Sequence, residues 1–382
     1  MRRTFKLGSA RGVSIRVHPT FGLLLIWVAY QWGVSSGAGL PGMVFGVLVL
    51  LAVFGCVLLH ELGHAAVAMH YGLKVRDITL LPIGGVARVE HMVLKPRAEI
   101  LIALAGPLVN LIITLVVTPA VLLVAAARHS DHPLMILLYA DEISVAGFLL
   151  YIWIANVLLA LFNLLPAFPM DGGRVLRAVI TRFTDRFTAT RIAVHIGQVF
   201  AVALMIAGIV AGDVLLPLVG IFVIAAGFME ARFVRMESRL RKLLVGQFAL
   251  WESGGIEPDV PLAFAVRDGP KDLVVTQAGT VIGMLWRQDV LRHLHGSHRE
   301  IIVRDVMDRR FATVEVTDSV LDVRTLLLNS NRSAVAVVQD GQYRGIFTSD
   351  RLDHVYAHVS AHGSRWRRRA RAFVQRLRYS SQ

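Results

Sequence analysis

The second apolar stretch of this 382-residue chain holds residues of the types that hydrolytic chemistry needs. His60, Glu61, Leu62, Gly63 and His64 follow one another. Residues four apart share one face of a helix, so His60 and His64 can present two imidazoles to one zinc ion. Glu61 stands beside the first imidazole and can take a proton from water at that ion. The alternative is a pair of buried histidines packed within a helix. Position argues against it, because a carboxylate inside an apolar span costs several kcal/mol unless it has a partner or a task. Catalytic zinc asks for a third protein ligand and an open position. The candidate is Asp171, in the run Asn163-Leu164-Leu165-Pro166-Ala167-Phe168-Pro169-Met170-Asp171-Gly172-Gly173-Arg174. Pro166 and Pro169 unwind the chain just before it, and non-helical backbone at membrane depth is tolerated where it lines a protein cavity. On spacing alone Asp171 serves equally well as a ligand or as the cap of the next helix.

The elements that must position these residues are membrane spans. Hydrophobic residues make up 55% of the chain and charged residues 18%, against about 25% charged in soluble domains. No Asp, Glu, Lys or Arg lies between Arg16 and Glu61. A bilayer core takes about 20 apolar residues per helix. Six spans are predicted: Thr20 to Val34, Met43 to His70, Ile100 to Ala127, Ile143 to Leu165, Ile192 to Ala211 and Val214 to Phe228. Leu134 to Ala140 is too short to cross and reads as an interfacial loop. The apolar run near the N-terminus outlasts a signal-peptide core. Cys56 is the one cysteine; it cannot form an internal disulfide and reads as packing.

Basic residues alternate from loop to loop. Arg2, Arg3, Lys6, Arg11 and Arg16 precede the first span. Lys74, Arg76, Arg88, Lys95 and Arg97 lie between the second and third, and Arg174, Arg177, Arg182, Arg186 and Arg191 between the fourth and fifth. The positive-inside rule then puts both termini in the cytoplasm, in a multi-pass protein of the cell membrane. Most of the net charge of +13 serves orientation in this reading, and no nucleic-acid partner is expected.

From about Arg232 the composition changes. Residues 245–359 read as a soluble α/β domain, with short β-rich runs at Leu273 to Thr276 and Ala334 to Gln339 and a helical run at Val320 to Leu328. Val281 to Leu285 before Asp289, and Tyr343 to Phe347 before Asp350, form a weak internal repeat with a period of about 60 residues. Residues 1–231 would be the membrane part and 360–382 a basic tail. Arg365 to Arg378, with Trp366, Phe373 and Leu377, suits attraction to anionic membrane lipid.

Taken together, His60 to His64, Asn163, Leu165-Pro166 and Asp171-Gly172-Gly173 resemble the site-2 protease family of intramembrane zinc metalloproteases. Ala105-Gly106-Pro107-Leu108-Val109-Asn110 fits the same pattern, and the resemblance covers residues 1 to about 230. It implies one zinc per chain held by His60, His64 and Asp171, with Glu61 as general base. Asn163 can donate to an oxyanion or orient the substrate backbone; a helix–helix hydrogen bond is its alternative role. The implied substrate is a single-span membrane protein, such as an anti-sigma factor. Ile78 to Val89 reads as a β-hairpin with its turn at Gly84-Gly85. It resembles the family's membrane-associated β element and could hold an unwound substrate by strand addition.

Arg304-Asp305-Val306-Met307, Val335 to Val338 and Gly345 to Asp350 resemble a CBS motif, and Gly283 to Asp289 resembles a degenerate one. The expected fold is therefore a polytopic α-helical membrane protein with a C-terminal soluble α/β CBS-pair domain. Such a pair implies an adenine nucleotide, a homodimer or a regulatory role. Trp286 stands where the first motif has its hydroxyl, and Asp350 follows Thr348 by two residues where three are usual, so Thr348 and Asp350 are the contacts left. A metal-binding membrane transporter and a catalytically inactive membrane scaffold are the rival readings. Six spans divide poorly into repeats, Glu61 has no transport role, and every catalytic residue is present.

Overall fold

The computed structural model describes residues 4–82, 84–89, 95–127, 142–251, 254–267, 271–294, 301–330 and 332–359. The chain divides into two compact units, Met1–Val234 and Arg235–Gln382. The expectations for Leu134 to Ala140 and for the basic tail lie outside the described residues.

In the first unit, α1 (Thr20–Tyr30) continues into one π-helical turn, Gln31–Ser35. α2 (Gly39–His70), α3 (Pro96–Ala127), α4 (Val145–Leu164), α6 (Arg186–Ala211) and α7 (Leu215–Arg241) follow, with the short α5 (Asp171–Ile180) between α4 and α6. Among the described residues five helices, not six, are long and apolar enough to cross a membrane. The stretch predicted as the first span has 11 α-helical and 5 π-helical residues. That is about 24 Å of rise against a hydrocarbon core of about 30 Å. Gly37 (φ 74°) and Gly39 (φ 63°) end it, because left-handed backbone breaks a helix. The last helix runs on past the predicted Phe228 to Arg241, through the division between the two units.

Caps define the other ends. The Ser144 hydroxyl accepts from the Gly147 amide at 3.1 Å, and the Asp185 carboxylate accepts from the Thr188 amide at 3.0 Å. Gly212 (φ 70°) closes α6. Where α2 and α3 cross, a side chain at Gly63 would fall 2.9 Å from the Ala105 carbonyl oxygen. Close helix contacts through small residues are how spans associate without a hydrophobic drive between them.

The charged N-terminal segment folds, which composition did not reveal. β1 (Phe5–Ala10), β2 (Val13–Val17), β3 (Val75–Leu81) and β4 (Gly84–Val89) form one sheet in that order. β2 and β3 run parallel, and the other two pairs antiparallel. The hairpin turn is not at Gly84-Gly85: Gly84 and Gly85 already pair with Leu81 and Leu80 inside the ladder. Asp77, within β3, is buried, ion-paired to Arg88 across the ladder and 3.7 Å from Arg16.

The second unit is an α/β domain. It holds β5 (Leu250–Trp251), β6 (Leu273–Gln277), β7 (Thr280–Leu285), α8 (Arg287–Leu294), α9 (Val303–Val306), β8 (Thr313–Glu315), α10 (Val320–Ser330), β9 (Ala334–Gln339) and β10 (Gln342–Thr348). β5-β10-β9-β8 make one sheet and β6-β7 another. The internal repeat is structural: β7 leads into α8, and β10 leads into a helix over 349–359. Leu240, Val245, Val320, Val337, Phe347 and Val355 form a fully buried core. Phe347→Ala should cost about 3–5 kcal/mol of stability in this unit. Protease susceptibility of the C-terminal unit in urea, followed on the full chain, checks this; an unshifted midpoint would contradict the core assignment.

Candidate metal centre

α2 buries His60 and His64 on one face, together with Cys56, Ala65 and Ala68. Asp171 opens α5 and is buried as well. His60 Nε2 and His64 Nε2 stand 3.0 Å apart, and Asp171 Oδ2 lies 3.3 Å from the first and 3.0 Å from the second. A tetrahedral zinc about 2.0–2.1 Å from each ligand would set such atoms about 3.3 Å apart.

The outer nitrogens decide what these atoms can bind. His64 Nδ1 faces the Ile102 carbonyl oxygen at 2.7 Å. A carbonyl only accepts, so Nδ1 carries the proton, which leaves Nε2 as the nitrogen that can face a metal. His60 Nδ1 faces Asn110 Oδ1 at 2.5 Å. That amide's orientation traces to a backbone carbonyl: Asn156 Nδ2 donates to Ile152 O at 2.8 Å, and Asn110 Nδ2 donates to Asn156 Oδ1 at 2.9 Å. Asn156 Nδ2 also donates to Cys56 Sγ at 3.3 Å. With both rings neutral, two imidazole lone pairs and a carboxylate converge on one point. This donor set fits a divalent cation, and His60, His64 and Asp171 can hold one.

α3 is the floor of the site. A side chain at Gly106 would fall 2.5 Å from His60 Nε2 and collide with His64. Pro107 interrupts the backbone ladder of α3 in this turn. α5 reaches the site through the tight segment 165–170, whose Phe168–Pro169 peptide is cis. A side chain at Gly173 would meet the Ala167 backbone at 2.7 Å. Arg174 Nη1 lies 3.5 Å from Asp171 Oδ1, the oxygen turned away from the imidazoles.

The Glu61 carboxylate is within electrostatic reach of His60, His64, Asp171 and Arg174. A side chain at Gly85 would fall 3.0 Å from Glu61 Cδ and 3.1 Å from Oε1. The glycine pair expected to turn the hairpin instead lets β4 lie against the carboxylate. Asn163 is not joined to the three ligands: its Nδ2 donates to Leu159 O at 2.9 Å, within α4. Sequence reasoning missed Asn156, although an asparagine within an apolar span was a usable signal. It also counted Arg177 as a loop charge, whereas Arg177 is buried.

The peptidase family M50 model matches residues 48–207, a range holding His60, Glu61, His64, Asn163 and Asp171. The zinc metalloprotease MJ0392 of Methanocaldococcus jannaschii is 30% identical over 354 residues, spanning 91% of this chain and 94% of the relative. The chain belongs to peptidase family M50. Stage IV sporulation protein FB of Bacillus subtilis is 29% identical over 165 residues, 43% of this chain and 46% of that one. The solved site-2 protease from Methanocaldococcus jannaschii is 33% identical and covers 60% of this chain and 95% of its own, at a TM-score of 0.43. The CBS domain model matches residues 303–358.

This M50 peptidase is thus a zinc metalloprotease with a CBS-type domain. At the first CBS-like half, Trp286 is buried and its Nε1 donates to Asp308 Oδ2 at 3.1 Å. Arg332 stacks on the indole at 4.6 Å and pairs with Asp308 at 2.5 Å. The Arg310 amide, with Trp286 and Arg332, holds the Asp308 carboxyl below the usual carboxylate range. An indole bonded to a carboxylate does not fit a phosphate at this position. In the second half Asp350 is exposed, and the Thr348 hydroxyl accepts from the Arg351 amide at 3.3 Å.

Gly106→Ala should weaken zinc binding in this M50 peptidase at least as much as Asn110→Ala, which removes the partner of His60. Loss of such an outer contact typically costs about 10–100-fold in affinity. Competition with a chromogenic chelator measures it, and wild-type affinity in both variants would contradict the site.

Proposed function

We propose that this M50 peptidase hydrolyses peptide bonds at membrane depth in single-span membrane-anchored proteins, using one zinc held by His60, His64 and Asp171. The convergence of three electron-rich ligand atoms among helices apolar enough to cross a bilayer carries this reading. Bound zinc would acidify water and polarise a carbonyl. Glu61 takes the proton of the attacking water and passes it to the leaving amine. Asp171 keeps one oxygen on the imidazole side while Arg174 steadies the other. Asn163 exchanges its bond to Leu159 O for one to the substrate backbone.

A membrane helix hides its peptide bonds, so the substrate must unwind before it is cut. β4 is the last strand of its sheet and its Gly85 lies against Glu61. A strand added to that edge would pass the base in extended form. This supports a protease over a transporter, which has no use for an open strand edge beside a carboxylate.

β2 pairs with β3 although α2 lies between them in the chain, so the short Thr20–Ser35 helix also carries the chain across; the basic loops then share one side and both termini are cytoplasmic. The C-terminal CBS-type domain regulates cleavage, and no nucleotide step is assigned to it.

Glu61→Gln should lower cleavage by about 10²–10⁴-fold with zinc content unchanged. Quantifying product and metal on the same sample tests this, and retained cleavage would sink the mechanism. Phe183 is 85% exposed and Cys56 is buried, so Phe183→Cys should react with an impermeant thiol reagent in inverted membrane vesicles only. Labelling in right-side-out vesicles would reverse the topology. Loosening the module with Phe347→Ala should change the cleavage rate of the full chain; an unchanged rate would rule out regulation.

A further inference from the structure

Among the described residues of the membrane unit Arg177 is the most deeply buried basic side chain, 4% exposed, and Glu99 beside it is 5% exposed. Its Nε and Nη2 both donate to Glu99 Oε1, at 2.9 and 2.5 Å, and its Nη1 donates to Glu230 Oε1 at 2.5 Å. The guanidinium also lies 5.1 Å over the ring of Phe168, itself buried three residues before Asp171. One side chain therefore joins α5 to α3, to α7 and to the segment that leads into Asp171.

α5 needs such an anchor. It is 10 residues long and follows irregular backbone. Asp171 and Arg177 stand in its first and last turns, about 9 Å apart along the axis. α3 already carries the groups that fix the imidazoles: Ile102 O, Gly106 and Asn110. Glu99 lies three residues before Ile102 on the same helix. The fork of an arginine fixes direction as well as charge, so the Glu99 pair sets how far α5 slides and turns relative to α3. Charges buried among apolar helices hold their pairing tightly, because separating them leaves an uncompensated ion.

We infer that Arg177 is a positioning residue for the metal centre: its ion pairs with Glu99 and Glu230 register α5 against α3 and so bring Asp171 Oδ2 to His60 and His64. The inference rests on reading those three residues as metal ligands. A plain structural tie would stabilise the fold equally with and without metal. A positioning residue changes the ligand geometry of protein that is still folded.

Cobalt(II) titration of the full chain in nanodiscs separates these, read by affinity and by the visible ligand-field bands. Wild type should bind one cobalt and His60→Ala none; if wild type binds none, the metal reading itself fails. Arg177→Met should weaken cobalt binding by at least about 10-fold and alter the bands, with Arg177→Lys between it and wild type. A lower melting temperature of metal-free Arg177→Met, with wild-type cobalt affinity and bands, would overturn the inference. Should Arg177→Met not fold, Arg177→Lys and Glu230→Gln decide: weakened binding in both supports the positioning role, and wild-type binding in either overturns it.

Discussion

The convergence of two imidazole nitrogens and one carboxylate oxygen governs the membrane unit. His60 and His64 give their Nδ1 protons outward, to Asn110 and to the Ile102 carbonyl. Their Nε2 lone pairs therefore meet each other and Asp171 at 3.0–3.3 Å. Their spacing suits a ligand set around one cation. Much of the surrounding helix packing follows from keeping it assembled. Gly106 leaves room for the rings, Asn156 fixes the amide that fixes His60, and the glycines after Asp171 let α5 come close.

A low-dielectric surrounding makes each further charge commit to a partner. Buried Asp77 pairs with Arg88 across β3 and β4, and Arg177 is shared by Glu99 and Glu230. The Arg177 pairs link elements distant in sequence, so they hold the fold as well as satisfy charge. The same reasoning accounts for Arg174, which lies beside the outer oxygen of Asp171. Apolar faces cannot do this in lipid, where helices gain little by hiding hydrophobic surface from one another.

The C-terminal unit follows ordinary aqueous rules. Its core is a dense set of Val, Leu and Phe side chains under a four-stranded sheet. Its departures from the CBS pattern are stable structure in their own right. Trp286, Asp308 and Arg332 form a stacked and hydrogen-bonded group at the first half.

Local chemistry was legible in the sequence. Four-residue spacing puts His60 and His64 on one face in any helix, and apolar length marks the spans. The resemblance of residues 163–173 to a known pattern singled out Asp171, where spacing alone left it between ligand and cap. The repeat of strand and helix in the C-terminal unit was visible for the same reason, since it depends on near neighbours. Tertiary structure decided what depends on distant neighbours. Gly84 and Gly85 looked like a turn because glycine permits one, yet Gly85 is needed where β4 approaches Glu61. Arg177 looked like a loop charge because a sequence shows charge without burial, and its partners lie 78 and 53 residues away. The parallel pairing of β2 with residues 75–81 leaves no short-range mark, whereas the β1–β2 hairpin turns locally at Arg11-Gly12 and its glycine was a usable signal. Periodicity and spacing are properties of one element, whereas close approach and ion pairing exist only once two elements have met.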